Sequence, residues 1–92
     1  MRIAISANSD GDCTEELRIA LDPIADGDLT IDLSQVPYLP SSALTELARL
    51  RRRMRNEPIV LYGPNALVTR TLNVVGFNKI FTIVAAPAAG AA

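Results

Sequence analysis

The chain has no histidine and no tryptophan. Without histidine there can be no His-dependent triad, no His general base and no Cys/His zinc site. Cys13 is the single cysteine, so no internal disulfide can form, and the lone thiol reads as inert. Two Phe and two Tyr are too few for base-stacking platforms. Neither charge sign is in excess: the formal net charge is −1, which calls for no nucleic acid, membrane surface or acidic substrate. No apolar run is long enough to span a bilayer. The start, Met1 to Ser6, turns polar too soon for a signal peptide. The expectation is a cytoplasmic protein with no direct membrane insertion. Gly63-Pro64-Asn65 lacks the glycines and lysine of a phosphate-cradling loop. Asp10, Asp12, Glu15 and Glu16 fit no calcium-loop spacing. No acid, base and nucleophile converge in the sequence, so neither an enzyme nor a metal or cofactor site is expected.

What is present suits one domain. A chain of 92 residues buries roughly 60–65% of its unfolded surface, which leaves a modest core. Arg2 to Ala7 alternates and reads as a strand. Asn8 to Asp12 is turn chemistry, and Thr14 stands where it could cap a helix, with Glu15 and Glu16 at the positive end. Leu17, Ala20, Leu21 and Ile24 have helical spacing; Leu17, Ile19 and Leu21 also alternate, but the good helix formers favour helix, ended or kinked at Pro23. Leu29 to Leu33 is a β-rich central strand, although Asp32 suggests that it lies near a solvated end. A helix from Ser41 to about Asn56 buries Ala43, Leu44, Leu47, Leu50 and Met54. Ile59 to Tyr62 is a strand, Asn65 caps the next helix, whose apolar stripe is Leu67, Val68, Leu72 and Val75, and Gly76 suits the left-handed residue after it. Ile80 to Val84 is the last strand. The expected domain is 1–84, followed by a low-complexity tail over 85–92. The alternation β-α-β-α-β-α-β predicts an α/β fold with about four strands in a mixed, mostly parallel sheet and helices packed against it.

The informative stretch runs from Ile31 to Leu44, IDLSQVPYLPSSAL. A strand ends, a loop crosses, and two hydroxyls stand at a helix start. Free backbone N–H groups and the helix dipole there suit an anion, although helix capping alone would also select serine. Arg49, Arg51, Arg52, Arg53 and Arg55 form a second candidate. They could meet an acidic partner, but cations near a helix C-terminus are stabilising in themselves, and a charge run is usually a solvated face.

The pattern DLS-x-V, a hydrophobic residue, then Ser-Ser-x-Leu resembles the signature of STAS domains, the family of bacterial anti-sigma-factor antagonists. The likeness continues through the Arg-rich helix, the strand IVLY, and Pro64 to Phe81, and covers roughly residues 10 to 84. The resemblance implies a compact module that binds an anti-sigma serine kinase. In that family the first Ser of an Asp-Ser-Ser-Gly-Leu motif is phosphorylated; by position this is Ser41, with Ser42 as cap or alternate acceptor. Phosphate adds about −1.5 to −2 charges and would unseat a docked partner. Leu39, Ser41, Ser42, Leu44 and Thr45 are the implied contact residues. Two departures stand out: Pro40 replaces the family's Asp and Ala43 its Gly. The N-terminus is also shorter than the family pattern by about one strand. Two alternatives therefore stay open. One is a non-phosphorylated assembly subunit, as in a stressosome-like body or the cytoplasmic part of a lipid transporter. The other is a self-associating module, a monomer or weak homodimer, that pairs through an exposed sheet edge.

Overall fold

The computed structural model describes residues 1–24 and 27–85. Its elements are β1 (Arg2–Ala4), α1 (Thr14–Leu21), β2 (Leu29–Asp32), α2 (Ser41–Arg53), β3 (Ile59–Tyr62), α3 (Ala66–Val74) and β4 (Thr82–Val84), with a short 3₁₀ turn at Phe77–Lys79. From residue 86 onward the expected tail lies outside the described residues.

The strands lie in chain order, β1-β2-β3-β4, and every pair is parallel. The expected mixed sheet is corrected here to an all-parallel one. The physical reason is that each of the first three strands is followed by a helix, and a crossover that carries the chain back along the sheet makes its neighbour parallel. Arg2 sits beside Thr30, Thr30 beside Val60, and Val60 beside Thr82. The ladder continues past β1, since the Ile5 N–H donates to the Asp32 carbonyl at 3.0 Å. Asp32 is the last residue of β2, at the solvated end anticipated for it.

The core lies between the sheet and the helices. Leu29, Ile31, Leu33, Ile59 and Leu61 face Leu17, Leu21, Leu47, Leu50, Val68 and Leu72, all buried. Burying side chains such as Leu47 and Leu50 stabilises by about 1.5–3 kcal/mol each. The helical reading of 14–21 holds because Leu17 and Leu21, one turn apart, share the buried face, while Ile19 stays 63% exposed. The second helix ends at Arg53 rather than Asn56, and Met54 is its buried C-cap. Gly76 has φ +82°, the left-handed conformation that ends the third helical stretch.

The arginine run divides into residues that pin carbonyls and residues that are simply exposed. The Arg51 guanidinium donates to the carbonyls of Glu57 (2.7 Å), Ile80 (3.1 Å) and Met54, which ties the end of α2 to the segments before β3 and β4. Arg53 donates to the carbonyls of Leu21 and Ile24 and so holds the end of α1. Arg52 and Arg55 are exposed. Two residues of the run are therefore clamps on carbonyls at the end of α1, at the C-cap of α2 and in the connecting segments. Arg51→Ala should lower unfolding free energy by about 1–3 kcal/mol in urea titration, because it strands several carbonyls at once. Arg52→Ala should change it by less than about 0.5 kcal/mol.

Candidate functional site

Loops at the carboxyl ends of the strands build the site. The chain leaves β2 at Asp32, whose Oδ1 accepts the Ser34 N–H at 2.9 Å. Val36 then turns into the core, and Tyr38 turns out with 36% of its surface exposed. Asn65 holds this loop from the far side. Its Oδ1 caps α3 by accepting the Val68 N–H at 2.8 Å, and its Nδ2 donates to the carbonyls of Val36 (3.3 Å) and Pro37 (3.1 Å). The loop after β1 presses on the same segment. Gly11 has φ +83°, and a Cβ there would lie 3.2 Å from both Pro37 Cγ and Tyr38 Cε1. Only glycine suits both the dihedral and the space.

The second helix starts without a side-chain cap. Pro40 is the N-cap, extended at φ −70° and ψ 164°, and its carbonyl accepts from the Ala43 N–H (3.0 Å) and the Leu44 N–H (3.1 Å). The capping role expected of Ser42 is corrected: proline closes the position before the helix, so both serines are already helical, and both residues are exposed. No acidic residue sits in the first turn of α2, whereas α1 has Glu15 and Glu16 there. The positive end of α2 is thus not offset by its own side chains.

The two serines differ. Ser42 Oγ lies 2.8 Å from Thr14 Oγ1, and Thr14 donates its proton to Asp12 Oδ1 at 2.6 Å. A hydroxyl has one proton to give, so Ser42 is the donor to Thr14. Asp12 Oδ1 also accepts the Thr14 N–H at 2.8 Å. The chain Ser42–Thr14–Asp12 joins the starts of α2 and α1. Thr14 is therefore the first helical residue of α1, not its cap. Its hydroxyl and backbone N–H hold the Asp12 carboxyl below its usual value of 3.8. Ser41 is exposed, and among the described residues its hydroxyl has no hydrogen-bond partner.

The remaining expected contacts also separate. Thr45 is exposed, one turn after Ser41, with Oγ1 donating to the Ser41 carbonyl at 3.0 Å. Leu44 is half-buried and packs on the core. Leu39 is 5% exposed, and its assignment as a partner contact is corrected: the side chain fills the core beneath the loop. Tyr38 offers the exposed ring instead, and sequence alone had no signal for this exchange of neighbours. The link through Asp12 and Thr14 was equally hidden, since Thr14 and Ser42 are 28 residues apart.

Beside this surface a polar cleft of about 540 Å³ opens between the loops, lined by Ser6, Asn8, Ser9, Ser34 and Gln35 among others. Among the described residues no group of His, Cys, Asp or Glu is placed to hold a metal ion. Cys13 is fully buried, and desolvation pushes its thiol up to about 11, so it is a poor nucleophile. Among the described residues no helix is long and apolar enough to cross a membrane.

A scan against protein-family models matches residues 1–85 to the family described as "Mlab, STAS domain". A search of the curated proteins finds no match. The matched span includes every strand and helix described above.

Ser42→Ala should cost about 0.5–1.5 kcal/mol in unfolding free energy, and Thr14→Val should be strongly non-additive with it in a double-mutant cycle. Ser41→Ala should be close to neutral. The Asp12 carboxyl is held below its unfolded value, so its contribution is present above that value and lost as pH falls through the folded one. The urea midpoint should therefore drop below about pH 4, and Asp12→Asn should flatten that part of the profile.

Proposed function

The chain belongs to the STAS domain family, and on that premise we propose that it is a non-enzymatic interaction module that docks an anti-sigma-type serine kinase around the start of α2, with Ser41 as the switch. The observation behind this reading is the inequality of the two serines. Ser42 is committed to Thr14, whereas Ser41 is exposed at a helix start, with no side-chain hydrogen-bond partner among the described residues and no acidic neighbour in its first turn. A phosphate on Ser41 would meet favourable backbone N–H groups and the helix dipole, so the fold would tolerate it. It would place about two negative charges in the middle of the surface formed by Tyr38, Ser41 and Thr45, and a partner docked there would be released. A phosphate on Ser42 would instead break the link to Thr14 and crowd the Asp12 carboxylate. The reduced cytoplasm is the compartment that this reading implies.

A second reading is favoured by Pro40. The family's carboxylate next to the acceptor serine is absent, and a proline caps the helix in its place. In this reading the domain is a constitutive subunit of a larger assembly, stressosome-like or the cytoplasmic part of a lipid transporter, and uses the same surface without phosphorylation.

The two readings part in one experiment. The host's anti-sigma kinase is incubated with the chain and ATP, followed by intact-mass analysis and a binding titration of wild type, Ser41→Ala and Ser41→Asp. The switch requires one added phosphate on wild type, none on Ser41→Ala, and at least a tenfold loss of binding for Ser41→Asp. Equal binding by all three, with no mass gain, overturns it in favour of the constitutive subunit.

A further inference from the structure

The order β1-β2-β3-β4 has a consequence for the sheet's second face. Parallel crossovers are right-handed, and when strands follow one another in sequence, each crossover returns over the same face. All three helices consequently lie on one side. Burial agrees: β2 and β3 alternate buried and half-buried, while the two edge strands alternate exposed and half-buried. All-parallel sheets ordinarily have both faces covered. Here no described residue covers the second face.

That face is ordered and electrically closed. Arg2 forms an ion pair with Asp32 at 3.2 Å and lies over the Tyr62 ring, 4.4 Å from its centroid. Among the strand residues in register on this face Arg2 is the one cation and Asp32 the one anion, and the two neutralise each other. Ala4, Val60, Val84 and the Tyr62 ring make up much of the rest. Thr30 and Thr82 complete the row that holds Val60.

We propose that this bare sheet face is a docking surface for a second copy of the same chain, packed face to face about a two-fold axis. Its charge balance selects the occupant. A strongly acidic or basic partner would leave either Arg2 or Asp32 facing like charge, whereas an identical face presents one of each and is complementary to itself. Burying it leaves no unpaired charge, because the ion pair goes in as a unit. Two flat β faces pack about 10 Å apart with strands nearly aligned. Four short strands cover roughly half the area per partner of a standard interface, so the dimer is weak and reversible. The contact uses the face and leaves the edges free; β1 and β4 are only three residues long and are poor templates for edge pairing. It also leaves the start of α2 accessible, since the helices occupy the opposite side.

The test is a dilution series of the nitrogen-15-labelled chain from millimolar to micromolar, read by amide chemical shifts and by sedimentation equilibrium. The expected result is a rise in average mass with concentration, with shifts centred on Thr30, Asp32, Val60 and Tyr62. Val60→Asp should abolish both changes, and Thr82→Asp, at a more exposed position, serves if Val60→Asp fails to fold. A constant monomer mass at millimolar concentration overturns the proposal. So do concentration-dependent shifts confined to the outer edges of β1 and β4, or to the start of α2, and so does a mass increase that both variants retain.

Discussion

Everything in this molecule is arranged around a parallel sheet whose strands follow chain order. Each strand but the last is followed by a return across the sheet, and each return is a helix packed on the same side. That single condition buries one sheet face against α1, α2 and α3 and gathers the strand-to-helix loops at one end. It also leaves the other face bare among the described residues. A small domain has few ways to form a continuous core, and one-sided packing concentrates its limited apolar surface in a single layer.

At the loop end, polar bonds between distant segments do what apolar packing does elsewhere. Asn65 closes the α3 cap and holds the Val36–Pro37 carbonyls, Gly11 admits the neighbouring loop, and Asp12 with Thr14 anchors Ser42. The start of α2 is thus positioned from three sides, although its own N-cap is a proline with no side-chain acceptor. The Ser41 hydroxyl is left outside this scaffold. At the opposite end, Arg51 and Arg53 serve a related purpose for orphan carbonyls.

Much of this architecture was legible in residue order. Leu17, Leu21, Leu47, Leu50, Val68 and Leu72 lie at helical spacing and are buried as that spacing requires, whereas Leu67 and Val75, expected on the same stripe as Val68 and Leu72, are exposed. Asn65 reads as a cap, Gly76 as a left-handed terminator, and IVLY as a strand. The site was less legible. Leu39 and Tyr38 are adjacent in the loop, and local pattern does not say which one turns inward. The structure buries Leu39 and exposes Tyr38. The arginine run looks uniform as text, yet Arg51 and Arg53 reach carbonyls while Arg52 and Arg55 point to solvent.

By itself, then, the sequence determined the elements, their alternation and the family pattern, because helix and strand periodicity, turn chemistry and motif spacing are local properties of the chain. Tertiary structure alone decided that every strand pair is parallel, that no described residue covers one sheet face, and that Ser42 is bonded to Thr14 while Ser41 has no side-chain partner among the described residues. Those outcomes depend on groups distant in sequence, such as Thr14 and Ser42, coming within hydrogen-bond distance. Periodicity has no information about which distant partners meet, since that is settled only when the core closes.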